Sequence, residues 1–223
     1  MSVCMSRSPI PGELNPESSR HPRIMVETAF LASTSALLWI INFYFPIGML
    51  FRLLFPLPTV IAYLRWGKRP AWMTAIVAAL LLGILMGPPR SIQFFIPFGC
   101  LGVLLGGLWR AKRPWSVSLG WGLLLTTLGL FFQTTLVSLL LGINLWLYVN
   151  QQVRGILAWV FEKLGLLIDP SIQAVQLVAL GMITFQALLY LFLVHLVAVL
   201  LMQRLGHPIP DPPRWLQALL DDY

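Results

Sequence analysis

The sequence predicts an all-α fold, a polytopic membrane helix bundle of about six transmembrane helices with one amphipathic helix on its surface. Three observations carry that prediction. Hydrophobic residues make up 58% of the chain and charged residues only 10%, with a mean hydropathy of +0.81; soluble domains carry roughly 25% charged residues. The apolar residues fall into runs of about 20, the length of helix that crosses a bilayer. Between those runs lie two short basic stretches, Trp66-Gly67-Lys68-Arg69-Pro70-Ala71-Trp72 and Trp109-Arg110-Ala111-Lys112-Arg113-Pro114-Trp115. Lys and Arg in short loops stay on the cytoplasmic side, and Trp favours the headgroup layer. Pro just before an apolar run suits the first turn of a helix, where its missing N–H costs nothing. Each stretch therefore reads as a cytoplasmic turn between an incoming and an outgoing helix.

Residues 1–25 are rich in Ser, Pro and charge and are expected to be a disordered cytoplasmic tail. The membrane domain covers 26–205. Its first span is 27–45, stopped by Pro46; the second, 47–64, is interrupted by Arg52, Pro56 and Pro58. The third, 72–86, is closed by Gly87-Pro88-Pro89-Arg90, and the fourth, 92–108, leads into the second basic stretch. From Ser116 the chain stays apolar to Val149, about 50 Å at 1.5 Å per residue and too long for one upright span. A span over 116–141 that leaves the membrane near Gly142 solves this.

Residues 151–167 are amphipathic, with Val153, Leu157, Val160 and Leu164 at helical spacing and Arg154, Glu162 and Lys163 facing water. Asp169-Pro170 starts the last helix, whose membrane part is 177–203. A Pro-rich cytoplasmic tail, 206–223, follows.

The chain holds 15 Lys and Arg. With both termini inside, eleven of these are cytoplasmic (Arg7, Arg20, Arg23, Arg65, Lys68, Arg69, Arg110, Lys112, Arg113, Arg204 and Arg214). Three are outside (Arg90, Arg154 and Lys163), and Arg52 lies within a span. That bias places both termini in the cytoplasm. The net charge of +7 sits in loops and tails, where it serves topology and not nucleic-acid binding.

The topology gives each polar residue in a span a depth. Arg52, Asn42, Gln93 and Gln133, from four helices, all fall toward the outer face. Arg in a span usually points into the bundle or snorkels to the interface. Two readings follow: a ligand or partner pocket anchored on Arg52, or a snorkelling Arg52 with the amides bonded between helices. Gln186 and His195, on the last helix, are candidates for a pigment or a helix contact. Ala29, Ala32, Ser33 and Ala36 give the first helix a small-residue face for docking or for packing within the fold. Arg154, Trp159, Phe161 and Lys163 give the amphipathic helix a mix of aromatic and charged groups suited to a partner or to the membrane interface.

Several chemistries are excluded. The acidic residues, Glu13, Glu17, Glu27, Glu162, Asp169, Asp211, Asp221 and Asp222, lie in no span interior, so there is no carboxylate pair for acid–base work and no proton-relay acid. Cys4 and Cys100 form neither a disulfide framework nor a metal site. Gly102, Gly106 and Gly107 sit within an apolar helix and are no phosphate loop. No catalytic residue, metal or cofactor is expected, and the protein is read as not an enzyme.

Phe55-Pro56-Leu57-Pro58, the basic turn 65–69, the helix closed by Gly87-Pro88 and the Gly-rich stretch 98–107 resemble the YybS-like family, domain of unknown function 2232. The ending Leu205-Gly206-His207-Pro208-Ile209-Pro210-Asp211-Pro212-Pro213-Arg214-Trp215 is similar to members from oxygenic phototrophs. The resemblance implies a fold like that of the substrate-capture (S) subunits of energy-coupling-factor transporters. In those, an Ala-x-x-x-Ala face such as Ala32/Ala36 meets the coupling subunit, and the ligand opens outward.

Two functions are therefore expected. One is a non-enzymatic accessory or assembly protein of a membrane, thylakoid or plasma, that binds other integral membrane proteins or a lipophilic or small-molecule ligand; the tail favours a photosynthetic membrane. The alternative is a transporter S subunit. The topology is tested by labelling Lys68→Cys, Lys112→Cys and Lys163→Cys with an impermeant thiol reagent in oriented vesicles. The first two are expected to react from one side and the third from the other; labelling of 68 and 163 from the same side would overturn the six-span arrangement.

Overall fold

Lipid offers backbone N–H and C=O groups no water, so each crossing segment must close its own hydrogen bonds. In the computed structural model the described residues, 16–45, 49–163, 165 and 171–204, do so as helices. These are α1 (Pro16–Tyr44), α2 (Met49–Leu53), α3 (Leu57–Trp66), α4 (Lys68–Met86) and α5 (Pro88–Phe94). A π-helical turn, Phe95–Gly99, leads directly into α6 (Cys100–Arg110). Then come α7 (Trp115–Leu141), α8 (Leu145–Lys163) and α9 (Ile172–Arg204). Among the described residues five helical stretches are long and apolar enough to cross a membrane: His21–Tyr44, Lys68–Met86, Pro88–Arg110, Trp115–Leu141 and Ile172–Leu201.

Most expected spans sit within these helices, and α7 ends at Leu141, with Gly142 in the left-handed conformation (φ 66°) that closes a helix. Two expectations need correction. The span expected over 47–64 is not one helix but the short pair α2 and α3, because Pro56 and Pro58 supply no N–H to an uninterrupted ladder. The tail expected to be disordered over 1–25 is helical from Pro16, a residue suited to a helix start, and Arg23 pairs with Glu27 one turn on. The expectations for residues 1–15, 46–48, 164, 166–170 and 205–223 lie outside the described residues.

Contacts at the two ends fix how the helices stack. Trp66 Nε1 donates to Glu27 Oε2 at 2.7 Å, and Arg65 pairs with the same carboxylate at 3.2 Å. Arg110 donates to the Tyr63 carbonyl at 3.0 Å. The level of Glu27 and both basic turns thus share one end of the bundle. At the opposite end the Arg90 guanidinium lies 3.7 Å from the centre of the Phe43 ring, a cation–π contact. The broken pair α2–α3 carries the chain from that end back to the basic one.

Helices in lipid gain little from hydrophobic association and are held by close packing. Ala32 (0% exposed) and Ala36 (3%) of α1 bury against Ala78, Ala79 and Leu82 of α4. Between α3 and α6 the backbones approach so closely that a Cβ on Gly102 would lie 2.8 Å from the Pro56 carbonyl oxygen. One on Gly106 would lie 2.5 Å from Tyr63 Cβ. Leu53, Leu57 and Val60 then meet Leu101 and Leu105 of α6 and Leu191 and Val194 of α9. α8 starts earlier than expected, at Leu145, and lays Val153, flanked by Val149 and Leu157, on Val175 and Ala179 of α9. Arg154, Glu162 and Lys163 are exposed, as their spacing predicts.

Gly106→Ala pushes a methyl into the rigid base of Tyr63 and is expected to destabilise the protein by about 1–3 kcal/mol. Gly120→Ala, whose added carbon meets nothing within 4 Å, is expected to be neutral. Thermal unfolding of both variants in one detergent tests the pair; equal midpoints would remove the close contact of α3 and α6.

Candidate functional site

Helix interruptions in a membrane protein are tolerated where the freed backbone is buried in protein or lines a cavity. Here two interruptions face one another. On one side is the break between α2 and α3, where Tyr190 of α9 donates its hydroxyl to the Arg52 carbonyl at 3.1 Å. On the other is the π-helical turn holding Pro97, which has no N–H to give an α-helical ladder. Between them lies a cavity of about 70 Å³, room for several waters or a small head group.

Its walls are Arg52, Pro97 and Phe98 of the two interruptions, Leu101 of α6, Thr126, Leu130 and Gln133 of α7, and Gln186, Ala187 and Tyr190 of α9. Apolar groups line most of it, with a few polar side chains converging, the pattern of a small-molecule site. Among them Thr126 is the buried group without a partner, while the exposed Arg52 makes no ion pair among the described residues. Thr126 is 7% exposed and its hydroxyl makes no hydrogen bond among the described residues, although buried hydroxyls nearly always find one. Glu27 and Glu162 are the carboxylates whose side chains are described; neither pairs with Arg52, and Glu27 is taken by Arg23 and Arg65.

The cavity unites Arg52 and Gln133 of the expected pocket. Asn42 and Gln93, half-buried, are not part of its lining. Residue counting places a side chain at a height but does not give its rotation about the helix axis. Gln186, grouped by sequence with His195, lines the cavity instead; nine residues at 100° each put the two on opposite faces of α9. The helical spacing also carried signals for the lining residues that sequence reasoning missed. Tyr190 lies four residues after Gln186, and Thr126 seven before Gln133, each on the same face as its partner.

His195 (0% exposed) serves as a helix contact. Its Nδ1 lies 2.8 Å from the Leu191 carbonyl and its Nε2 2.8 Å from Ser118 Oγ of α7. A carbonyl only accepts, so Nδ1 carries the proton and Nε2 accepts from the Ser118 hydroxyl. Trp109 and Trp115 stack about the ring at 5.1 and 5.3 Å between centroids. Both tryptophans, expected at the headgroup layer, are turned inward and buried. Both ring nitrogens are thus engaged within the fold, which leaves no lone pair aimed outward at a pigment metal. Among the described residues no cluster of three His, Cys, Asp or Glu could hold a metal ion.

The α1 face divides. Ala32 and Ala36 are covered by α4, whereas Ala29 and Ser33 are exposed, the Ser33 hydroxyl donating to the Ala29 carbonyl at 2.9 Å. The Ala-x-x-x-Ala pair expected to be able to meet a partner therefore packs inside the fold, because α4 offers it alanines at matching height. On α8, Trp159 is 60% exposed, Phe161 is half-buried, and Arg154 and Lys163 are exposed.

Residues 33–220 match a family described as predicted membrane protein (DUF2232). The chain is also 26% identical over 206 residues to the uncharacterized protein YybS of Bacillus subtilis (strain 168). That match covers 86% of this chain and 66% of YybS, so the chain spans just under two thirds of the relative's length. No solved structure matches.

Ser118→Ala strips the Nε2 of His195 of its donor and leaves a buried acceptor unsatisfied, at a cost of about 1–3 kcal/mol. The expected result is a lower unfolding midpoint. A variant as stable as the wild type would show that the Ser118–His195 bond does not tie α7 to α9.

Proposed function

The chain belongs to the DUF2232 family of predicted membrane proteins, and from that premise we propose that it is a non-enzymatic accessory protein of its membrane that binds a lipophilic ligand by a polar head. It crosses the bilayer six times, the second passage being the broken pair α2–α3, with the two basic turns and both termini on the cytoplasmic side. The contacts of Glu27 with Arg65 and Trp66 support this path, since they return the chain to the level from which α1 sets out. In that orientation the Arg52 cavity lies between mid-membrane and the outer face.

The observation that carries the reading is the cavity itself, with an unpaired cation at its mouth and an unpartnered buried hydroxyl, Thr126, in its wall. A charge without a counter-charge is costly at membrane depth, and a ligand that supplies acceptors relieves the cost. The second reading, capture of a substrate for a transporter, draws on the same outward-placed cavity. Burial of Ala32 and Ala36 against α4 leaves only Ala29 and Ser33 of the small-residue face exposed, which favours the accessory reading.

The test is native mass spectrometry of protein purified in mild detergent from its own membrane. The wild type is expected to carry a non-protein mass that Arg52→Ala loses while still eluting as a monodisperse species. Equal retention by the variant, or a bare wild type that takes up nothing from a membrane lipid extract, would overturn the reading.

A further inference from the structure

The Arg52 cavity adjoins a second space. Leu130 and Gln186 also line this second space, of about 270 Å³, which runs between α7 and α9 beneath α8. The lining there is chiefly apolar, with Phe131, Val153, Met182 and Ile183 among its residues and Trp146 standing 5.6 Å from the Phe131 ring. Polar and apolar functions are thus separated between two adjoining spaces. Arg52, Thr126 and Gln133 gather at one end, and the space under α8 offers almost only hydrocarbon.

We propose that these two spaces together hold a single-chain amphiphile with an acidic head, carboxylate or phosphate, its head on Arg52 and its chain running past Leu130 and Gln186 to lie beneath α8. The inference rests on the ligand-binding reading above and adds the class of ligand. The chemistry of each end selects it. A guanidinium with no carboxylate of its own among the described side chains takes an oxyanion in a two-pronged contact, and the Thr126 hydroxyl has its hydrogen free to donate to a second oxygen. Gln133 can donate through its amide. A neutral head would leave the Arg52 charge uncompensated. A soluble anion without a chain would leave the space under α8 without a hydrocarbon occupant, and a branched double-chain lipid would need a second apolar path from the same head. Leu130 and Gln186, which line both spaces, are the residues past which the chain would run.

The probe is tritiated hexadecanoate, with protein in phosphatidylcholine nanodiscs. Saturable binding is expected, displaced by unlabelled hexadecanoate and by hexadecyl phosphate but not by 1-hexadecanol. Arg52→Gln is expected to weaken it roughly tenfold or more, the loss of a charge-assisted contact. Ile183→Trp, which narrows the space under α8, is expected to flatten the gain in affinity from octanoate to hexadecanoate. Gln133→Leu serves as the head variant should Arg52→Gln fail to elute as a monodisperse species. If hexadecanol competes as well as hexadecanoate, or if both head variants bind unchanged, the acidic head is refuted while a lipophilic ligand stands. If octanoate binds as tightly as hexadecanoate to the wild type, the threaded chain is refuted. If none of these probes binds yet the purified protein carries a mass that depends on Arg52, the ligand class alone is wrong. If that mass is missing too, both readings fall.

Discussion

Close approach of small residues is the constraint on which the rest of this bundle depends. Two apolar helices in hydrocarbon exchange lipid contacts for protein contacts of similar quality, so association follows from how near the backbones can come. Gly102 and Gly106 let α6 lie directly on α3, against the Pro56 carbonyl and the base of Tyr63. Ala32 and Ala36 let α1 lie on α4. These contacts bring α3, only ten residues long, into the interior, where its neighbours compensate for its shortness. Without them the interrupted pair α2–α3 would have no protein around its irregular backbone, which lipid cannot solvate.

The cost of the interruption is met locally and by name. The Arg52 carbonyl accepts from the Tyr190 hydroxyl and, more weakly, from the Phe55 N–H at 3.3 Å. Tyr190 is therefore a backbone partner for the break as well as a wall of the cavity. On the facing side, Pro97 meets α7 at Gly129, whose added Cβ would stand 3.0 Å from Pro97 Cβ. The π-turn is thus pressed against α7 where that helix is thinnest. An aromatic row, Trp39, Phe55, Phe98 and Tyr190, with successive ring centroids 5.2 to 6.3 Å apart, spans from α1 across the break to α9. Rings in edge-on contact hold their shape at low entropic cost, and here they keep the cavity from collapsing.

Class, element order and most helix ends were legible in the sequence because they follow from local chemistry. Gly142 ends α7 because glycine takes a left-handed φ without strain, and Pro56 with Pro58 marked the second passage as irregular. Its division into two short helices could not be read in the same way, since the apolar run from Ile47 to Leu64 has the length and composition of a span. The site was half legible. Arg52 and Gln133 stood out because charge and amide are rare in spans, but Asn42 and Gln93 stood out for the same reason and do not line the cavity. What sorts them is rotation about each helix axis, and the π-turn after Gln93 changes that rotation through a feature no periodicity announces. Thr126 was overlooked because a hydroxyl in a membrane helix usually bonds its own backbone one turn back, as Thr134 does to the Leu130 carbonyl at 2.9 Å. Only its surroundings reveal that Thr126 does not.

His195 on α9 and Arg52 on α2 stand in contrasting surroundings. Around His195 every polar need of the ring is met inside the protein, by the Leu191 carbonyl and the Ser118 hydroxyl, between two buried tryptophans. That end of α9 behaves as a sealed joint with α7. Nine residues away, on the opposite face, Gln186 and its neighbours Ala187 and Tyr190 face a space that no side chain fills. Trp109 Nε1, beside the His195 ring, is buried without a partner as the Thr126 hydroxyl is, so the two regions differ in the space they leave open and not in the satisfaction of every polar atom. What sets the Arg52 cavity apart is that an unpartnered hydroxyl and a guanidinium without an ion pair line one and the same space.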